Sequence, residues 1–139
     1  MKFSVITVTF NAGEKLAETV ANVLQQTYHD YELLIKDGMS TDGSVDGIKE
    51  EGPVRLVRCK DKSIYDAMNQ AVAAAKGEYV IFMNCGDYFY ANDVLAKIAN
   101  VIEANPGRRI YYGDAYFRKA EQIFHMPDRI TDYVCFSHI

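Results

Sequence analysis

Two carboxylates and one aromatic ring sit where this sequence could do chemistry. Asp37 closes a β-rich run and precedes Gly38, so its side chain can accept hydrogen bonds from a nucleobase or a ribose. A turn aspartate that caps the following segment is the competing structural reading. Asp87 ends the segment Asn84-Cys85-Gly86-Asp87, which follows a nearly all-apolar run. A carboxylate there is placed to hold Mg²⁺ or Mn²⁺ against a diphosphate, because both ions take oxygen ligands and are often held by one or two carboxylates plus substrate phosphates; an ordinary loop is the plain alternative. Phe10 offers a flat face, and stacking on a base is worth about 1–3 kcal/mol, while a ring after a strand is more commonly core. Asp61, Asp66 and Asn69 surround the start of a helical stripe, where carboxylates suit the helix dipole and an exposed amide can bind a ligand. Lys60 and Lys62 stand beside them, to meet phosphate or simply to be solvated. Ser40-Thr41-Asp42-Gly43 carries the hydroxyls and carboxylate that satisfy free N–H groups at a helix start. His29, His125 and His138 are too far apart for a metal-ligand spacing.

The periodicity around these residues alternates. Residues 3–8 read as a strand, and Leu16, Val20, Val23, Leu24 and Thr27 recur at helical spacing. Residues 31–36 read as a second strand, followed by a short helix from Ser40 to about Lys49. Residues 54–59 form a third strand, and Ile64, Met68, Ala71, Val72 and Ala75 mark a helix that Gly77 closes. Residues 79–83 are almost wholly apolar, which predicts a central strand covered on both faces. Leu95, Ile98, Ala99 and Ile102 give a further helix broken at Asn105-Pro106-Gly107, strand character restarts at residues 110–112, and periodicity fades from about Glu121. Strands alternating with helices predict an α/β layer fold with a mostly parallel sheet and right-handed crossovers. Ligands of such sheets bind at the carboxyl ends of the strands, which singles out residues 9–13, 37–43 and 84–88.

With 139 residues the chain has room for one well-packed domain. The three cysteines are odd in number and lack C-x-x-C spacing, which points to free thiols in a reducing compartment. A net charge of −4 with scattered Lys and Arg argues against a nucleic-acid groove. No run approaches the roughly 18 apolar residues of a membrane span, and the N-terminal pattern is not that of a secretory signal.

Read in order, the segments Ser4-Val5-Ile6-Thr7-Val8-Thr9-Phe10-Asn11, Gln26-Thr27-Tyr28, Asp37-Gly38-Met39-Ser40-Thr41-Asp42-Gly43-Ser44, Asp61-Lys62-Ser63-Ile64-Tyr65-Asp66-Ala67-Met68-Asn69 and Lys76-Gly77-Glu78-Tyr79 through Asp87-Tyr88 resemble the N-terminal half of family-two glycosyltransferases. This is the inverting GT-A group that builds bacterial surface polysaccharides. The resemblance implies a three-layer α/β/α GT-A fold with a mostly parallel central sheet, C-terminally truncated. It implies a nucleoside-diphosphate sugar as donor, with a UDP-sugar favoured, and a saccharide or lipid-linked acceptor. The backbone of Val8, Thr9 and Phe10 and the side chain of Asp37 would hold the base, with Asn11, Asp66, Asn69, Asn84 and Gly86 completing the substrate-binding set. Asp87 would match the carboxylate that holds Mg²⁺ or Mn²⁺.

Two departures stand out. Gly86 occupies the place where many members carry a second aspartate. No residue matches the later carboxylate that serves as general base; Asp66 and Asp128 are the only substitutes to consider, and Phe136-Ser137-His138 resembles the strand segment carrying a histidine in this branch. A truncated, non-catalytic nucleotide-sugar-binding or interaction module is therefore the alternative reading. A nucleotidyltransferase is disfavoured because residues 9–14 lack a Gly-rich basic loop. The expected setting is cytoplasmic, with peripheral contact at the inner face of the plasma membrane and a homodimer formed through apolar surface left bare.

Overall fold

A computed structural model describes residues 1–119 and 122–126 of the chain. The elements run β1 (Phe3–Thr9), α1 (Glu14–Leu24), β2 (Tyr31–Asp37), β3 (Val54–Arg58), α2 (Ile64–Ala74), β4 (Tyr79–Phe82), α3 (Val94–Ala104), β5 (Ala115–Lys119) and β6 (Gln122–Met126). The first four strands form one parallel sheet in the order β3-β2-β1-β4; β5 and β6 pair as a separate antiparallel hairpin. Parallel pairing requires crossovers, and these place helices on both faces. On one face Leu16 and Val23 of α1 and Leu95, Ala99 and Ile102 of α3 pack with Phe3, Val5, Leu33 and Ile35. On the other, Ala67 and Ala71 of α2 lie against Ile6, Val8 and Leu34. The result is the three-layer α/β/α arrangement.

Every residue of β1 and β2 is buried, and their buried polar groups are largely paired. At the amino end of the sheet, Glu32 accepts from the Ser4 hydroxyl at 2.6 Å, from the Lys76 N–H at 2.6 Å and from Arg55. Burial alone would raise the Glu32 carboxyl, but these donors outweigh it and hold the group below its ordinary 4.5. One carboxylate thus ties β1, β2, β3 and the chain after α2 together.

Four local readings are corrected by the structure. Residues 79–82 are not central among the described strands: β4 lies at the edge of its sheet and all four residues are only half-buried. The strands with the deepest burial are β1 and β2, whose Ser4, Thr7, Glu32 and Lys36 dilute the apolar signal. No helix forms over residues 40–49; the segment is a run of turns, with i→i+3 bonds from Asp46 to Gly43 and from Ile48 to Val45. Gly43 has φ +82°, and Asp42 takes the N–H and hydroxyl of Ser44, so local side-chain bonds compete successfully with helix. Gly77 does not cap α2, which ends at Ala74 with Ala75 as an extended C-cap; it is a close-approach glycine under β1. Residues 110–112 form no strand. Tyr111 instead packs edge-on against Tyr79 at 5.7 Å, while strand structure resumes at 115–119 and again at 122–126, beyond the point where periodicity fades.

Candidate functional site

Because β2, β1 and β4 are parallel neighbours, the loops leaving their carboxyl ends emerge side by side. The loops after β1 and β2 are stitched together. Asn11, in left-handed geometry at φ 50°, donates its N–H to Ser40 Oγ at 2.8 Å and accepts from the Thr41 N–H at 2.9 Å. Asp42 accepts from the Gly13 N–H at 2.9 Å, which puts a negative charge at the amino end of α1, where the helix dipole favours it. Hydrogen bonds from Ser44 and this N–H hold the Asp42 carboxyl below its usual value.

Beside this junction lies a cleft of about 710 Å³, lined by Val8, Thr9, Phe10, Gly38, Met39, Lys60, Asp61, Lys62, Ser63, Ile64 and Ala67. Phe10 is 64% exposed, so its ring belongs to the cleft mouth and not to the core. Thr9 is buried and forms part of the lining.

Asp37 does not line this cleft. It is fully buried, and its oxygens accept from the Ser40 N–H and hydroxyl and from Arg58 Nε at 2.9 Å. Burial would raise its carboxyl; the bonds from Ser40 and Arg58 outweigh that and keep it below its ordinary 3.8. The carboxylate that does reach the cleft is Asp61, paired with Lys36 Nζ at 2.6 Å. Composition near residue 61 made it one candidate of several; the lysine next to last in the otherwise apolar end of β2 is the sequence signal that separates it from the rest, since a buried charge needs a partner.

Asp66 is committed to the start of α2. It accepts from the Lys62 N–H at 2.8 Å, and its own N–H donates to the Ser63 hydroxyl. Asn69, one turn further on, is exposed.

The loop after β4 is held from α1. Thr19 Oγ1 accepts from the Gly86 N–H at 2.9 Å and donates to the Asp87 carbonyl at 3.2 Å; Asn22 exchanges two bonds with Phe89; Gln26 spans Ala91 and Leu95. Thr19 and Asn22 sit at i and i+3 on α1 and Gln26 lies just past its end, so one stripe of polar side chains fixes the backbone of the loop. That stripe escaped the sequence reading, which attended to the apolar positions of the same helix. Cys85 rests its thiol 3.6 Å from the Val8 carbonyl, and burial pushes the thiol above its ordinary 9.0. Asn84 and Asp87 are exposed, with Asp87 Oδ2 accepting from the Asn84 N–H at 3.1 Å.

Among the described residues no three His, Cys, Asp or Glu side chains gather to hold a metal by themselves. The donor set is one exposed carboxylate in a fixed turn. It fits a hard cation whose remaining ligands are diphosphate oxygens and water, and it does not fit an all-protein cage. Asp128 and His138 lie outside the described residues.

The family model for Glycosyl transferase family 2 matches residues 4–136. A PGL/p-HBAD biosynthesis glycosyltransferase of Mycobacterium bovis (strain BCG / Pasteur 1173P2) is 35% identical over 121 residues, covering 84% of this chain and 47% of the relative. UDP-Glc:alpha-D-GlcNAc-diphosphoundecaprenol beta-1,3-glucosyltransferase WfaP of Escherichia coli is 31% identical with the same coverage. Among solved structures, the mannosyltransferase PcManGT from Pyrobaculum calidifontis, in complex with GDP-Man and Mn²⁺, superposes with a TM-score of 0.68 at 26% identity, covering 76% of this chain and 33% of that one. The chain spans about half the length of the curated relatives it matches.

Proposed function

The chain belongs to glycosyl transferase family 2 with a GT-A fold, and from that premise we propose that it supplies the nucleotide-sugar site of an inverting, metal-assisted glycosyltransferase. The donor is a UDP-sugar, and the acceptor is a saccharide or a lipid-linked sugar of surface polysaccharide synthesis. The single observation that carries this reading is the shared sheet edge: three parallel strand ends present an exposed ring at Phe10, a cleft-lining carboxylate at Asp61 and a turn-held carboxylate at Asp87.

In this reading the base stacks on Phe10, with the backbone of Val8 and Thr9 beneath it. Asn11 and Asp37 act from below as the struts that hold the two loops in place, and Asp66 fixes the start of α2 so that exposed Asn69 faces the donor. Asn84, Gly86 and Asp87 meet the diphosphate end, where Asp87 would hold Mg²⁺ or Mn²⁺. A bound cation supplies neutralisation of the charge that grows on the departing diphosphate. The chain's own part is to keep Asp87 in a fixed turn so that little reorganisation is needed on binding. The UDP-Glc-dependent Escherichia coli relative and the GDP-Man and Mn²⁺ complex of the Pyrobaculum calidifontis neighbour support a nucleoside-diphosphate sugar as donor and a divalent metal beside it. The working site would be the cytoplasmic side of a membrane, by peripheral contact; no described helix is long and apolar enough to cross one.

Calorimetric titration with UDP in the presence and absence of Mn²⁺, followed by product analysis with UDP-sugars, tests the reading. Mn²⁺-dependent UDP binding is expected. A folded chain that binds no nucleoside diphosphate overturns it; binding without turnover selects the non-catalytic module.

A further inference from the structure

A fully buried lysine points to how the base is read. Lys36 is fully buried near the carboxyl end of β2, where an unpaired charge is costly. Its Nζ donates to the Cys59 carbonyl at 2.8 Å and to Asp61 Oδ2 at 2.6 Å. A lysine buried at such cost, whose one side-chain ion pair among the described residues is with a cleft-lining carboxylate, is fixing that carboxylate in place.

Gly38 adds an independent observation. A Cβ on Gly38 would stand 2.8 Å from Asp61 Oδ2 and 3.3 Å from the Phe10 ring. Its φ does not lie in the left-handed region, so glycine serves here to make room. The Asp61 carboxylate and the exposed Phe10 ring therefore converge over the one residue at the end of β2 that lacks a side chain. Asp37, one residue earlier, has its oxygens committed to Ser40 and Arg58 and is out of reach.

We propose that Asp61 is the residue that reads the nucleobase, with Lys36 as its positioning residue and Gly38 as the gap that admits it; the proposal rests on the donor-site reading above. A carboxylate only accepts hydrogen bonds. It selects bases that present a ring N–H, which uracil does at N3, flanked by two carbonyls. Guanine shares that chemistry through N1–H. Cytosine and adenine present a lone pair at the corresponding atom, and a carboxylate facing it would leave both groups buried and unpaired, the kind of mismatch that discriminates most strongly.

The test is calorimetric titration of the full chain with UDP, GDP, CDP and ADP in Mn²⁺. The wild-type chain binds UDP more tightly than CDP by about tenfold or more. Asp61→Asn brings that ratio close to one, because an amide both accepts from uracil N3–H and donates to cytosine N3. Lys36→Met lowers the same ratio, a change that a merely structural lysine would not produce since loss of folded protein weakens all four ligands equally. Gly38→Ala, which crowds Asp61 without backbone strain, serves as the second variant should Lys36→Met fail to fold, and weakens UDP more than CDP. GDP binding as tight as UDP keeps Asp61 in its role and moves the base to guanine. An unchanged UDP-to-CDP ratio in both Asp61→Asn and Gly38→Ala, with UDP still bound, overturns this inference and leaves the donor site standing. No binding of any of the four by the wild-type chain overturns both.

Discussion

Arg58 Nε donates to Asp37 Oδ2 at 2.9 Å, joining the last residue of β3 to the last residue of β2 directly beneath the cleft. Asp37 is fully buried while the Arg58 side chain is 42% exposed, so the pair has its negative member inside and its positive member at the rim. The Asp37 carboxyl is held below its ordinary 3.8 in the folded chain. A group depressed in this way binds a proton more readily when unfolded, so its contribution to stability is present above the unfolded value and lost as pH falls through the folded one. Glu32 is depressed for the same kind of reason and adds in the same direction. Urea midpoints should therefore change little between neutrality and about pH 5 and fall steeply below about pH 4. Asp37→Asn should cost about 2–4 kcal/mol at pH 7, by leaving buried donors poorly matched, and should flatten the acid limb. An acid limb as steep in Asp37→Asn as in wild type would place the linkage elsewhere.

Gly77 supplies a prediction about the opposite end of the sheet. A Cβ added there would lie 2.4 Å from the Ser4 nitrogen and 2.5 Å from the Phe3 carbonyl carbon, and backbone atoms of a central strand cannot step aside. The same glycine donates its N–H to Ser4 Oγ at 2.8 Å. Gly77→Ala should destabilise the chain by about 3 kcal/mol, the upper range for overpacking, as measured by denaturant unfolding. A loss below about 1 kcal/mol would mean that the chain after α2 can shift away from β1 cheaply.

The layer order and the strand-end location of the site could be read from the sequence because alternation of strand and helix leaves few topologies, and because residues 9–13, 37–43 and 84–88 each follow a strand. What could not be read was which carboxylate faces outward. Asp37 and Asp61 look alike in sequence; they differ because Ser40 and Arg58 close over one while Lys36 tethers the other beside a glycine. Hydropathy also misplaced β4. Among the described strands it stands at the edge, half-buried, with Tyr79 against Tyr111, whereas the interior strands carry Glu32 and Lys36, whose burial is tolerable only through partners distant in sequence. The helix expected over 40–49 failed for a local reason: Asp42 folds back onto Ser44.

Phe10 separates stability from binding. At 64% exposed, it gives up little core packing when truncated, so Phe10→Ala should shift the unfolding midpoint by no more than about 0.5 kcal/mol equivalent. Loss of a stacking partner should weaken UDP by roughly 1–3 kcal/mol, or about one to two orders of magnitude in Kd, whereas inorganic pyrophosphate should bind as before. Equal losses for UDP and pyrophosphate would show that the ring holds the loop and not the base.

Asp87 gives the sharpest separation between the structural and the ligand-binding parts of the loop after β4. Its Oδ2 accepts from the Asn84 N–H at 3.1 Å, and its carbonyl accepts from Thr19. Asp87→Asn keeps an oxygen for the Asn84 N–H and leaves the Thr19 bond untouched, so the turn should survive with unchanged thermal stability in the absence of metal. What the substitution removes is the one negative charge in a set that has no second carboxylate at Gly86. A hard divalent ion held by a single carboxylate and a diphosphate loses its only anionic protein ligand. Mn²⁺ should therefore strengthen UDP binding to the wild-type chain and strengthen it at least about tenfold less in Asp87→Asn, while metal-free UDP affinity stays the same. Thr19→Val should act differently, loosening the loop and lowering stability without abolishing the Mn²⁺ effect, because it moves the backbone that carries Asp87 and not the charge itself. Identical Mn²⁺ enhancement in wild type and Asp87→Asn would remove Asp87 from the metal site, and Gly86, which has no side chain, could not take its place.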